Sequence, residues 1–132
     1  MKPVLMNING APGFVVCLAD FPDASLDDLL IAGGDASWLA GPLDKGSNLC
    51  HGTAGNGYAF LKLYQRTGQA RWLECGRVFA MHAIAQSRAD LQQHGRLRCS
   101  LWTGDPGLAI YLWNCIRGSA DCPTLDCFFA GA

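Results

Sequence analysis

The sequence predicts an all-α chain, and three observations carry that expectation. Apolar residues recur at three- and four-residue steps over residues 70–86, strand-like alternation is scarce, and a glycine-rich tetrapeptide returns three times, each time ahead of an apolar run. The tetrapeptides are Gly10-Ala11-Pro12-Gly13, Gly52-Thr53-Ala54-Gly55 and Gly104-Asp105-Pro106-Gly107, spaced by 42 and 52 residues. That interval suits one helical hairpin per repeat.

The first turn opens an apolar segment at 14–19, and Pro12 falls where a first helical turn tolerates proline. Residues 24–40 follow as an amphipathic helix. Leu26, Leu29, Leu30, Trp38 and Leu39 form its apolar set, Asp27, Asp28 and Asp35 are placed to face water, and Gly33-Gly34 predicts a kink or a split. The second turn opens the segment 58–64. A clear helical stripe then runs through Trp72, Leu73, Gly76, Phe79, Ala80 and Ala83. The polar stretch 86–94 either extends that helix or forms a loop, and the third turn opens the segment 108–115. The pattern implies short, apolar inner helices covered by longer amphipathic outer ones, with Trp38, Trp72, Trp102 and Trp113 filling the space between layers.

A chain of 132 residues, half of them apolar and 16% charged, reads as a single domain over 1–132 with a modest buried core. Its net charge of −1 gives no reason to expect nucleic acid or an anionic membrane as partner. This much Leu, Ala, Phe and Trp argues against disorder. Seven cysteines, an odd number without regular spacing, argue against a secreted disulfide framework and for a reducing cytoplasm. The apolar start of the chain is broken at once by Asn7, Asn9 and Gly10, which makes a poor signal peptide. No apolar run has the length needed to span a bilayer.

The chemistry concentrates in Gly46-Ser47-Asn48-Leu49-Cys50-His51-Gly52-Thr53-Ala54-Gly55-Asn56-Gly57-Tyr58. A soft thiolate and an imidazole side by side, in a glycine-dense turn that opens a helix, suit a zinc ion, so Cys50 and His51 are the candidate metal ligands. Read from the residues alone, the adjacent pair is weak evidence for a metal: a buried thiol beside a helix-capping histidine fits it too, as does a small zinc protein of another kind using further cysteines. His82 sits on a helical stripe and reads as a core or boundary residue; His94 falls in a polar stretch and reads as solvated. Asp105 reads as a helix N-cap or as a polar group facing a central opening. Lys45 and Arg98 precede turns; they are surface charges or a means of attracting an acidic ligand.

In this order, Gly10-Ala11-Pro12-Gly13-Phe14, Leu49-Cys50-His51-Gly52-Thr53-Ala54-Gly55-Asn56-Gly57-Tyr58 and Ser100-Leu101-Trp102-Thr103-Gly104-Asp105-Pro106-Gly107 closely resemble the C-terminal part of the lanthionine synthetase C-like (LanC-like) family. The resemblance implies the C-terminal repeats of an α/α toroid, here truncated, with zinc at the central opening. It also implies the family's reaction, addition of a cysteine thiol to dehydroalanine or dehydrobutyrine in a peptide to form a thioether. Zinc would favour the thiolate, and a general acid would protonate the enolate left by the addition. The implied partners are a peptide carrying dehydroamino acids, or a thiol such as glutathione.

Of the family's three zinc ligands, two map onto Cys50 and His51. The third comes from a Trp-Cys-His/Tyr-Gly motif whose counterpart here is Asn7-Ile8-Asn9-Gly10, so Ile8 stands in the place of the first zinc cysteine. An isobutyl group cannot bind a metal, and the ligand set is expected to be incomplete. Cys17 is the nearest cysteine that could substitute. Two readings therefore stand side by side. One is a LanC-like zinc enzyme or a fragment of one. The other is a non-catalytic helical repeat that contacts another protein, or a second copy of itself, through an exposed apolar edge.

Overall fold

In this computed structural model, which describes residues 10–126, every regular element among the described residues is helical. The helices are α1 (Ala11–Leu18), α2 (Asp27–Ala40, preceded by a 3-10 turn at Ala24–Leu26), α3 (Thr53–Thr67), α4 (Ala70–His94) and α5 (Asp105–Arg117). Helices α1, α3 and α5 lie side by side, each opened by one of the glycine-rich turns, while α2 and α4 cover them. This is the layering that the sequence predicts, and it is a section of an α/α toroid.

Helix α3 is the axis of the packing. It touches all four other helices, and residues 53–63 are buried without interruption. A helix buried on every side cannot show the amphipathic stripe of a surface helix. Its link to α4 is short because Gly68 takes φ +68, a left-handed conformation that ends α3 and lets α4 start two residues later. The two helices meet through aromatic side chains. Phe60 stacks on Trp72 with ring centroids 6.0 Å apart and meets Phe79 edge-on at 4.8 Å. Such pairs add about 0.5–1.5 kcal/mol each beyond the area they bury.

Two expectations about the outer layer need correction, and one open alternative is resolved. Helix α2 runs unbroken through Gly33 and Gly34. These glycines serve close approach: a Cβ at Gly33 would meet Val15 of α1, and one at Gly34 would meet Leu63 and Trp72. The tryptophans do not all fill the interlayer space. Trp72 does, at 1% exposure; Trp38 is partly exposed but leans on Phe60 and Phe79, and Trp113 is exposed, with the Arg117 guanidinium 6.0 Å from its ring. The polar stretch 86–94 extends α4, which ends at His94 where Gly95 turns left-handed at φ +66.

Polar links fasten the far end of α3. Lys62 is buried, and its ammonium donates to the carboxylates of Asp20, just beyond α1, and Asp126, the latter at 2.7 Å. Arg66 pairs with Asp27 at 2.6 Å and donates to the carbonyls of Ala19, Phe21 and Asp23 at 2.6–2.8 Å, pinning the α1–α2 loop. Asp27 therefore faces Arg66 as well as water. Burial alone would lower the Lys62 pKa; hydrogen bonds and charge from Asp126 and Asp20 outweigh it and leave the value raised above the ordinary 10.5.

Two outcomes follow from this packing. In Gly57→Ala the new methyl would collide with the Tyr111 hydroxyl, which donates to the Gly76 carbonyl at 2.6 Å, so urea unfolding is expected to show a loss of about 3 kcal/mol. Lys62→Met is expected to cost about 2 kcal/mol at neutral pH, since it removes charge-assisted bonds from a buried site. A group whose pKa is raised on folding stabilises fully below its unfolded value and ceases to do so as pH rises through the folded value. The wild-type advantage over Lys62→Met should therefore hold up to about pH 10.5 and fade above it. Parallel unfolding curves at neutral and high alkaline pH check this.

Candidate functional site

The first turn of a helix has amide groups with no partner inside the helix, and α3 obtains partners from its own leader. The carbonyls of Gly46, Ser47 and Asn48 accept from the amides of Thr53, Ala54 and Gly55 at 2.9, 3.3 and 3.2 Å. The chain must fold back tightly to do this, and Gly52 makes the fold possible. A Cβ there would run into the backbone of Gly46 and Asn48. Cys50 and His51 stand at the tip of this fold. The Asn48 side chain braces it, accepting from the His51 amide at 3.1 Å and donating to the Lys45 carbonyl at 3.3 Å.

The turn before α5 is built alongside and bonded to the first. The Cys50 amide donates to the Trp102 carbonyl at 2.9 Å. Gly107 leaves room for the Leu101 carbonyl and the Leu49 side chain. Asp105 is the first residue of α5, while Gly104 occupies the cap, so the expected N-cap role is corrected. Its carboxylate instead accepts from the Arg98 amide at 2.7 Å and the Ser87 hydroxyl at 2.9 Å. The neighbouring Gln86 accepts from the Thr53 hydroxyl at 2.6 Å and donates to the Leu43 carbonyl at 2.9 Å. Two consecutive residues of α4 thus hold both turns. The sequence offered no signal for this beyond two polar side chains on an outer helix.

Cys50 is a free, half-buried thiol. His51 is also half-buried, but its Nδ1 is fully buried and has no hydrogen-bond partner among the described residues. An imidazole nitrogen and a thiol are donor types that zinc accepts, and a buried nitrogen with no partner among the described residues, on the residue next to a free thiol, is compatible with two of its ligands. Among the described residues no group of three or more His, Cys, Asp or Glu side chains completes a site. Cys17 is exposed, and Ile8, Asn9 and Cys127 lie outside the described residues. Burial pushes the Cys115 thiol up to about 11 and also raises that of Cys75, which keeps both protonated and unreactive.

His51 also lines a cleft of about 320 Å³ between the two turns and the C-terminal end of α4. Lys45, Arg96 and Arg98 line it together with Asp90 and Asp105, and none of the three cations makes an ion pair among the described residues. His94 is exposed as expected, yet it shares this cleft with His51, which lies 43 positions away in the sequence. His82 is exposed on α4 and takes no part in the cleft, so its core or boundary reading is corrected.

Comparison with known proteins gives this arrangement a family. The "Glutathione S-transferase LANCL1" of Danio rerio is 47% identical over 47 residues, which cover 36% of this chain and 12% of that protein. The "LanC-like protein GCL1" of Arabidopsis thaliana is 37% identical over 79 residues, 56% of this chain and 18% of that protein. The chain thus spans less than a fifth of the length of these relatives. A family profile described as "Lanthionine synthetase C-like protein" matches residues 9–126, which include every residue that the structure describes, and the chain belongs to that family.

Proposed function

We propose that this chain serves zinc-supported thioether chemistry, in which a thiol adds to a dehydroalanine or dehydrobutyrine residue of a peptide, with Cys50 and His51 as the metal donors. The observation that carries this reading is the buried Nδ1 of His51, without a partner among the described residues, on the residue that follows the free Cys50 thiol. Zinc bound there would hold a substrate thiol in its thiolate form, the nucleophile that the addition needs. In the addition, sulfur bonds to the β-carbon of the dehydrated residue and a proton is delivered to the α-carbon.

With two donors from this chain, the remaining positions are open to outside donors, the substrate thiol first among them. Glutathione is supported as that thiol by the name of the Danio rerio relative and by Lys45, Arg96 and Arg98, which outnumber Asp90 and Asp105 in the cleft and have no ion-pair partner among the described residues. The latch of Gly46, Ser47 and Asn48 carbonyls fixes the donor pair in place, and the apolar packing around Leu49 limits water beneath it. Such chemistry suits a reducing, cytoplasmic compartment, and Cys17, Cys50, Cys75, Cys99 and Cys115 are free thiols. Among the described residues no helix is long and apolar enough to cross a membrane. A second reading, contact with another protein, is favoured by the apolar groove between α4 and α5.

Elemental analysis of the dialysed chain tests the first reading. Zinc is expected to be retained weakly by the chain alone and near-stoichiometrically with glutathione present, and Cys50→Ala is expected to lose it under both conditions. Lys45→Gln together with Arg98→Gln is expected to raise the glutathione needed by about tenfold while leaving weak zinc binding in place. Absence of zinc in the folded chain with and without glutathione, or equal retention by Cys50→Ala, would sink the proposal.

A further inference from the structure

We infer that His94 is the proton donor of the addition, delivering to the α-carbon from the α4 wall of the cleft. This rests on the thiol chemistry proposed above and names the group that completes it. When the thiolate sulfur bonds to the β-carbon, the electron pair of the carbon–carbon double bond moves to the α-carbon and its amide carbonyl. That enolate has to take a proton, and a donor held in place by the chain speeds such a step by about 10²–10⁴-fold. The cleft of about 320 Å³ is lined by three kinds of ionisable group: the carboxylates Asp90 and Asp105, the cations Lys45, Arg96 and Arg98, and the imidazoles His51 and His94.

Proton chemistry separates the three. Carboxylic acids ordinarily have no proton left at neutral pH, and ammonium and guanidinium groups hold theirs too tightly to give it up there. Asp105 is committed besides, accepting from the Arg98 amide at 2.7 Å and the Ser87 hydroxyl at 2.9 Å. His51 is engaged as a metal donor in the reading above, and a lone pair that binds a metal cannot carry a proton. Imidazole is the side chain that exchanges a proton near neutral pH, and His94 is the second imidazole of the cleft.

The position of His94 fits the task. It is the last residue of α4, and Gly95 closes the helix behind it, with φ +66 and an amide that donates to the Leu91 carbonyl at 2.8 Å. The imidazole is thus carried on a fixed helix end, whereas His51 stands on the turn before α3. Sulfur and proton therefore reach the dehydrated residue from different walls of one cleft. Leu91 and Leu97 line the cleft beside His94 and offer apolar surface to the peptide. Asp90 lies one helical turn before His94 on the same face of α4, a counter-charge for the protonated ring at i, i+4 spacing. His94 is exposed, so water can return its proton after each addition.

The test incubates the whole 132-residue chain with zinc, glutathione and a short dehydroalanine peptide. It reads zinc content, the rate of thioether formation and the configuration at the new α-carbon. Wild type is expected to give predominantly one epimer, because a fixed donor protonates one face. His94→Asn and His94→Gln are expected to keep their zinc, form thioether about a hundredfold more slowly and give a mixture of epimers, since water then protonates both faces. Imidazole added to the buffer should restore part of the rate and none of the epimer preference. A merely structural role for His94 would instead lower zinc retention and leave the epimer ratio alone. Unchanged rate and epimer ratio in both variants, or a wild type that holds zinc and glutathione yet forms no thioether, would overturn the assignment while the metal reading stands. Absence of zinc from the wild type would overturn both.

Discussion

Three backbone carbonyls, those of Gly46, Ser47 and Asn48, take the first three amide protons of α3, and the rest of the site depends on that latch. A helix N-terminus normally offers its amides to water, a capping side chain or an anion. Here a backbone fold uses them, so the start of α3 becomes a rigid mount. The mount carries Cys50 and His51 at its tip, and a single backbone bond from Cys50 to Trp102 ties it to the neighbouring turn. Gly52 is what the mount cannot do without, because any side chain there would enter the space of the carbonyls that close the latch.

Burial and polarity are arranged around this mount in a consistent way. The far end of α3 is fastened by Lys62 and Arg66, its middle by aromatic stacking on α4, and its start by the latch. α4 contributes at both levels. Its apolar face packs on α3, and its later residues Gln86 and Ser87 reach the two turns that α3 and α5 begin from. A helix of the outer layer thereby sets the relative position of two inner turns, and the cleft that holds His51, His94, Lys45 and Arg98 lies between them.

Much of this was legible in the sequence, for physical reasons. The glycine tetrapeptides announced all three inner helices because paired glycines at helix starts, with proline in two of the three, leave few other solutions ahead of apolar runs. The stripe from Trp72 to Ala83 announced α4 for the same kind of reason. Cys50 and His51 stood out by residue chemistry alone. The missed features are those that depend on tertiary contact. Gly33-Gly34 reads as a weak point by propensity, but it is a contact surface for Val15, Leu63 and Trp72. Lys62 looks out of place on a buried helix until Asp20 and Asp126 are brought to it from 42 and 64 positions away. Gln86, Ser87 and His94 carry no local signal, since what they hold or line belongs to other segments.

Cobalt(II) titration followed by absorption is the most direct test of the central claim, that the latch presents Cys50 and His51 as a metal-donor pair. The account predicts a sulfur-to-cobalt charge-transfer band with tetrahedral visible absorption, both absent in Cys50→Ser, and loss of the tetrahedral pattern in His51→Ala. No band, or a band that survives in Cys50→Ser, would contradict it. In the second case the metal would be held by other cysteines, and the unpartnered nitrogen of His51 would need a different explanation.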